Sequence, residues 1–458
     1  MSEAFDAIIV GAGQAGPALA GRLTAAGMRV AIIERKHVGG TCVNTGCIPT
    51  KAMVASAYAA HLAGRAADFG VHVDGTVRVD FPAVMARKDA ISGRSRDGLE
   101  KMLAGTDRCE LIRGHARFRA AHEIAVGDRV LSAPQIFINV GGRARVPPLG
   151  GAKTTPFLTN TSLLALDTLP EHLVIVGGSY IGLEFGQMFR RFGSRVTIIE
   201  MGRALIGRED PDISGAIQDV LIGEGIDIRL NATCVSLSGT AGAITAAVTC
   251  ADGEPAVTGT HLLLATGRQP NTDDLGLDAA GIRTAEQGYI EVDDQLRTNV
   301  EGVWALGDCN GKGAFTHTSY NDYEIVAANL LDGDARRVSD RIVAYGLYVD
   351  PPLGRAGLTE ADVRKRGRPA LIGKRPMTRV GRAVEKGESQ GLMKIVVDAA
   401  SREILGAAVL GPGGDEAIHC VLDTMYAKAP YDVLQRAVHI HPTVAELLPT
   451  ITGALEPL

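Results

Sequence analysis

The sequence predicts an α/β protein: two Rossmann-like dinucleotide-binding units, then a C-terminal α+β unit. Three observations carry the prediction. The chain opens on a strand, a glycine turn, a helix, a second strand and an acid. The same pattern recurs once, starting at Leu173. A hairpin pattern and a helix pattern close the chain. Apolar runs bounded by glycine read as buried strands, and their alternation with helix patterns reads as parallel sheet.

In the first unit, Ala7-Ile8-Ile9-Val10 is the strand and Gly11-Ala12-Gly13-Gln14-Ala15-Gly16 the turn. A helix pattern runs to about Ala26, and Val30-Ala31-Ile32-Ile33 ends on Glu34. Such a turn lets backbone approach a pyrophosphate, the helix start offers free N–H groups, and the acid can hold ribose hydroxyls. In the second unit, Leu173-Val174-Ile175-Val176 leads into Gly177-Gly178-Ser179-Tyr180-Ile181-Gly182. A helix then runs to about Phe192, and Arg195-Val196-Thr197-Ile198-Ile199 ends on Glu200. Ser179 replaces the middle glycine and still lets backbone come near. Glu200 favours NADH over NADPH, because a carboxylate repels a 2′-phosphate. Arg203 and Arg208 follow closely and could blunt that preference; both also suit a solvated loop. Two dinucleotides in one chain fit electron passage from a nicotinamide to a flavin. Two further buried strands, Leu262 to Arg268 and Val303 to Asp308, each break at a glycine.

With 458 residues, the chain has room for about three domains of roughly 150 residues. A net charge of −5 gives no reason to expect a nucleic-acid or anionic-membrane partner. No apolar run reaches the ~18 residues of a membrane span, and no signal peptide pattern precedes the first strand. The expected compartment is the cytoplasm. Seven cysteines, an odd number, do not read as a secreted disulfide framework. Cys109, Cys234, Cys250, Cys309 and Cys420 stand singly and read as packed or idle thiols.

Cys42 and Cys47 differ. They lie in GGTCVNTGCIPTK, residues 39–51. Structural zinc needs four ligands, and no second Cys or His pair is visible, so no metal site is expected. A structural disulfide is disfavoured in a reducing compartment. A redox pair fits better. Cys47 opens a helix pattern, with Pro49 in its first turn and Lys51 one turn on. A thiolate there is stabilised by the helix dipole and a nearby cation.

Together, GGTCVNTGCIPTK, the two glycine turns, ATGR at 265–268, ALGD at 305–308 and HPTVAE at 441–446 resemble the pyridine nucleotide–disulfide oxidoreductases. That family includes lipoamide dehydrogenase, glutathione reductase and mercuric reductase, and the resemblance spans essentially the whole chain. It implies FAD on the first unit (Gly11, Gly13, Gly16, Glu34, Gly40, Thr41, Lys51, Gly267, Gly307, Asp308). It implies NADH or NADPH on the second (Gly177, Ser179, Tyr180, Gly182, Glu200). Cys47 would face the flavin as the charge-transfer cysteine, and Cys42 would be the interchange cysteine that attacks substrate. Lys51 would sit near the flavin N5, paired with Glu184. Tyr180 would cover the flavin until nicotinamide displaces it, and Asp308 would contact the ribityl chain. His441, oriented by Glu446, would be the acid–base, reaching the site from the partner subunit of a homodimer. His439 would point the other way and be structural.

The implied architecture is an FAD domain at 1–145 and 269–336, an NAD(P)H domain at 146–268 and a dimerisation domain at 340–458. The last begins near Tyr345-Gly346-Leu347-Tyr348-Val349. It has a hairpin of Leu392 to Val397 with Ile404 to Val409, then a 411–415 loop and a helix from about Glu416. Within the family, HPTVAE is as in disulfide reductases, whereas typical mercuric reductases carry tyrosine at its histidine and a C-terminal cysteine pair that is absent from GALEPL. Ser179 and Arg208-Glu209-Asp210-Pro211 look similar to mercuric reductases. Asn321 to Val326, Pro351 to Arg355 and Ala429 to Leu434 look like the reactive chlorine resistance flavoproteins. The implied acceptor is therefore a disulfide, an oxidant or a metal ion. Dihydrolipoamide, Hg²⁺ and a low-molecular-weight disulfide are alternatives. A flavin-bearing redox sensor is the reading from another class, and such a sensor needs no acid–base pair.

Overall fold

The computed structural model describes residues 2–249 and 255–458; Cys250 and the Cys234 side chain lie outside what is described. The first sheet has five parallel strands, in the order Val303–Ala305, Gln135–Ile138, Ala7–Val10, Val30–Glu34 and Cys109–Arg113. Ala7–Val10 and Val30–Glu34 are buried at every residue, as strands covered on both faces must be. Their uninterrupted apolar runs follow from that. The helix Ala15–Ala25 and the helix Thr316–Leu331 pack together on this unit. An antiparallel meander, Ala116–Ala120, Glu123–Val126 and Arg129–Ser132, stands beside the sheet.

The second unit repeats the plan with four parallel strands: Asp227–Arg229, Arg195–Ile199, His172–Val176 and His261–Leu264. The strand expected over Leu262 to Arg268 thus ends earlier, at Leu264, where the chain turns through Gly267 at φ +107°. The chain passes between the two units twice, and the passages Gly142–Ala144 and Arg268–Pro270 pair antiparallel.

The third unit is a six-stranded antiparallel sheet in the order Ala344–Leu347, Leu353–Gly357, Ile404–Leu410, Leu392–Asp398, Ala370–Pro376 and Glu456–Pro457. The expected hairpin is its centre. The helix expected from Glu416 begins earlier, at Gly414. Gly413, at φ +65°, turns the chain there.

Phe81, Phe185, Phe189 and Phe192 form one buried aromatic cluster across two units, with ring centroids 5.9–6.4 Å apart. Each such ring stabilises by roughly 1.5–3 kcal/mol on burial. The cluster fixes the helix Phe81–Ala104 against the helix Tyr180–Phe192, and the helix Cys47–Gly64 packs on both. That packing brings the cysteine stretch to the second unit. Among the described residues, no helix is long and apolar enough to cross a membrane.

Candidate active site

Both glycine turns are built alike. Gly11 and Gly177 lie at φ +101° and +120°, and a Cβ on either would come within 2.4 Å of a carbonyl oxygen, of Asn139 and Ala265 respectively. Only glycine fits at such positions. The strand-end acids are pinned to their turns. Glu34 accepts from the N–H of Ala12 at 3.0 Å and of Lys36 at 2.7 Å. Glu200 accepts from the N–H of Gly178 and of Gly202, both at 2.6 Å. Ser179 has extended backbone, φ −107° and ψ −178°, at the position just before the helix Tyr180–Phe192, so this turn needs no middle glycine.

A cavity of about 590 Å³ opens from the first turn. Gly11, Gly13, Glu34, Gly40, Thr41 and Asp308 line one part of it, and Cys42, Cys47, Lys51, Tyr180 and Glu184 another. Its volume lies within the range of cofactor pockets. A Cβ on Gly40 would meet the Gly13 backbone at 2.9 Å, so the two segments touch only because Gly40 lacks a side chain. The turn's N–H groups, the pinned acid and this close approach fit a bound dinucleotide. Asp308 faces the same space. Burial pushes its carboxyl up, and Arg268, 3.4 Å away, opposes the shift. Gly16, Gly177, Gly182 and Glu200 build the turns without lining this cavity, and Gly267 and Gly307 shape its approach strands.

Cys47 is the first residue of the helix Cys47–Gly64, as its sequence context requires. Both cysteines are free thiols. Cys47 is exposed, and the exposure is towards the cavity. Its thiol is pulled down to about 6 by a hydrogen bond from Cys42 above all; the Thr316 hydroxyl, 3.1 Å from the sulfur, and the Lys51 charge add to this. The same bond holds Cys42 well above the ordinary thiol range. Reduced, the pair is therefore one thiolate, Cys47, and one thiol, Cys42. Lys51 Nζ lies 2.7 Å from the buried Glu184 carboxylate and 4.5 Å from the Tyr348 ring centroid. Glu184 also accepts from the Tyr348 N–H at 3.0 Å.

His441 stands apart from the cavity in its own chain, with its side chain 80% exposed. Its Nδ1 is 2.9 Å from Glu446, so Nδ1 carries the proton and Nε2 is the free, basic nitrogen. Val438 and Ile440 beside it are among the most exposed apolar residues of the chain. Among the described residues, His439 hydrogen-bonds only the Ala437 carbonyl, at 3.2 Å. Cys309 is buried, and Cys109 and Cys420 half-buried. Arg203 and Arg208 are exposed.

Sequence reasoning missed Asn139, Thr316, Phe315 and Tyr348. Three stretches that set this chain apart prove to be supports. Asp322 accepts from the N–H of Gly307 at 2.8 Å and so fixes the turn before Asp308. Arg355, 2% exposed, meets Glu209 at 3.1 Å and Asp210 at 2.9 Å. Tyr431 lies under Arg402. Asp210, Asp212 and Glu360 cluster as metal ligands would. Lys394 Nζ already contacts all three, at 2.7, 2.6 and 2.9 Å, so a lysine takes the place a cation would.

Two dinucleotide turns, one long cavity and a polarised thiol pair define a nucleotide-dependent thiol–disulfide oxidoreductase. The family model described as pyridine nucleotide-disulphide oxidoreductase matches residues 5–322, and that of its dimerisation domain matches residues 343–451. The chain belongs to this family, and it is an FAD-dependent enzyme acting with a pyridine nucleotide. It is 37% identical over 452 residues to the probable pyridine nucleotide-disulfide oxidoreductase RclA of Escherichia coli, covering 97% of this chain and 98% of the relative. It is 33% identical to the mercuric reductase of Streptomyces lividans (97% and 94% covered) and 32% identical to the dihydrolipoyl dehydrogenase of Chlamydia muridarum (98% and 96% covered). Among solved structures, the HOCl-induced flavoprotein disulfide reductase RclA from Escherichia coli is similar, with a TM-score of 0.89, 36% identity and 98% and 99% of the two chains covered. Its Cu(II) complex matches with a TM-score of 0.90, 36% identity and 99% of each chain covered.

Proposed function

We propose that this chain is a homodimeric, NADH-preferring reductase that passes electrons through Cys42 and Cys47 to an oxidised thiol or Cu(II). The observation that carries the reading is the polarised pair: a Cys47 thiolate beside Lys51 and Thr316, and a Cys42 thiol that stays protonated. When bound, FAD supplies a two-electron relay from the nicotinamide to the Cys42–Cys47 disulfide. Gly11, Gly13, Gly16, Gly40, Thr41 and Glu34 would hold its dinucleotide part, and Asp308 and Lys51 would flank the rest. Glu184 keeps Lys51 in place. Gly177, Ser179, Gly182 and Glu200 would hold NADH, the Glu200 carboxylate disfavouring a 2′-phosphate.

Because Cys42 is held as a thiol, its attack needs a base. The partner subunit's His441 would supply one. Its Nε2 takes the Cys42 proton as the sulfur bonds to an acceptor disulfide, then gives it to the departing thiolate. Cys47 attacks Cys42, displaces the second acceptor sulfur and reforms the disulfide. With Cu(II), two ions take one electron each and no thiol departs. Homodimerisation is supported by the dimerisation domain and by the exposed Val438 and Ile440 around His441. We divide the chain at its two paired crossings, near 145 and 269, and begin the dimerisation domain at 340. Cytoplasmic location suits two free thiols that must be re-reduced.

Steady-state NADH oxidation with lipoamide, glutathione disulfide, hypothiocyanite, Hg²⁺ and Cu²⁺ tests the proposal, with Cys42→Ser run in parallel and NADPH beside NADH. Turnover with a disulfide or Cu²⁺ that is lost in Cys42→Ser supports it. Turnover unchanged in that variant overturns it.

A further inference from the structure

A second, much smaller gap lies between the second unit and the third. Ser179, Tyr180, Arg208, Phe315, Tyr345 and Leu353 wall it, and its volume is about 10 Å³. That is room for one water at most, not for a nicotinamide ring. A ring entering here must displace part of the wall.

The wall is unevenly held. The Phe315 ring stacks with both Tyr345 and His317, with centroids 5.7 and 5.4 Å away and planes within 5° and 11° of its own. His317 Nε2 is tied to the Ala344 carbonyl at 2.8 Å. The Tyr345 hydroxyl donates to the Glu209 carboxylate, which is fully buried and paired with Arg355 at 3.1 Å. Glu209 comes from the second unit, and Tyr345 and Arg355 from the third, so this anchor spans the seam that a nicotinamide would enter. Tyr180 only leans on Phe315, at 5.7 Å and 41°. Among the described residues, none hydrogen-bonds the Tyr180 hydroxyl.

We propose that Tyr345 is a positioning residue for the nicotinamide. Anchored to Glu209 and stacked on Phe315, it makes the fixed wall against which the ring is held while Tyr180 gives way. A part-buried hydroxyl–carboxylate bond holds the Tyr345 ring against sliding in its own plane, and the stack passes that restraint to Phe315. The inference rests on the reading of Tyr180 as the displaced ring, and it adds what stays still.

The test uses the FAD-loaded oxidised dimer. NAD⁺ and ADP-ribose, which lacks the nicotinamide, are titrated calorimetrically into wild type, Tyr345→Phe, Tyr345→Leu and Tyr180→Ala, and each melting temperature is recorded. Tyr345→Phe should weaken NAD⁺ by about three- to tenfold, the worth of one hydrogen bond, and leave ADP-ribose within about twofold. Tyr345→Leu, which also removes the stack, should weaken NAD⁺ further. Anaerobic flavin reduction by NADH should slow in step, while exchange between the reduced thiols and an acceptor stays at the wild-type rate. Unchanged NAD⁺ affinity in both Tyr345 variants, or equal loss for NAD⁺ and ADP-ribose, overturns the proposal. Tyr180→Ala should tighten NAD⁺. If it does so while Tyr345→Phe changes nothing, this proposal alone fails; if Tyr180→Ala has no effect, the displacement reading fails and takes the proposal with it.

Discussion

The Thr316 hydroxyl sits 3.1 Å from the Cys47 sulfur, although 269 positions separate them in sequence. A thiolate can only accept from that hydroxyl, so the contact favours the ionised form. Thr316→Val should raise the Cys47 pKa from about 6 by roughly one unit, the worth of one charge-assisted bond, and Thr316→Ser should not. Thiolate absorbance of the reduced protein, titrated against pH, measures this directly.

The same titration sets a stability window. Cys47 is depressed from an ordinary 9.0 to about 6, so its contribution is complete above about 9 and is lost as pH falls through 6. Cys42 is shifted the other way, and its contribution declines above about 9. The disulfide form has neither thiol. The melting temperature of the reduced protein, relative to the oxidised, should therefore rise from pH 6 to 9 and then stop rising. A flat difference across that range would contradict the polarised pair.

His441→Ala should slow disulfide turnover by roughly 10²–10⁴-fold and leave flavin reduction by NADH fast. Cu²⁺ reduction should suffer less, since no departing thiol needs a proton. If His441 serves the partner's thiols, mixing His441→Ala and Cys42→Ser dimers under subunit exchange should restore activity. A random mixture gives roughly a quarter of the wild-type sites. No recovery after verified exchange would place His441 and Cys42 in one subunit's site.

Lys51 and Glu184 should be coupled. Lys51→Met strands a buried carboxylate, whereas Glu184→Gln keeps an acceptor for the Tyr348 N–H. Lys51 is itself about a third exposed, so the coupling in a double-mutant cycle should be only about 1–2 kcal/mol. Urea unfolding of the FAD-loaded protein reports it, and strict additivity would contradict the pairing.

Lys394→Met should cost about 1–3 kcal/mol, because Asp210 and Asp212 lose their shared cation while Arg355 still meets Asp210 and Lys374 still meets Asp212. Added Ca²⁺ should stabilise that variant and not the wild type. Stabilisation of the wild type by Ca²⁺ would mean that Lys394 does not fill the carboxylate cluster.

The fold class was legible because each glycine turn is local: strand, turn, helix and acid lie within about thirty residues, and chain geometry dictates their order. The Cys47 helix start was legible for the same reason, whereas the His441–Glu446 pair came from the resemblance. Lys51 with Glu184 came from resemblance, not spacing. Thr316, Phe315 and Tyr348 carry no local signal, since their nearness to the thiols is made by packing between units. Strand ends were read too long wherever an apolar run continued past the last ladder bond, as at Leu264. Arg355 shows the limit most plainly. Its stretch stood out in the sequence, but nothing there says that a buried arginine faces Glu209 and Asp210.

The strand Val303–Ala305 closes the first sheet by pairing with Gln135–Ile138. During synthesis this has a cost in waiting time. The ribosome must deliver the whole intervening unit before that last strand emerges, on the order of ten seconds or more at about 5–20 residues per second. Until then Gln135–Ile138 is an open edge, able to pair with the wrong chain. The inserted unit meanwhile holds all four of its own parallel strands and can fold as it leaves the tunnel. The hazard of misassembly, and the demand on chaperones, therefore falls on the unit that is begun first and finished only after the one inserted into it.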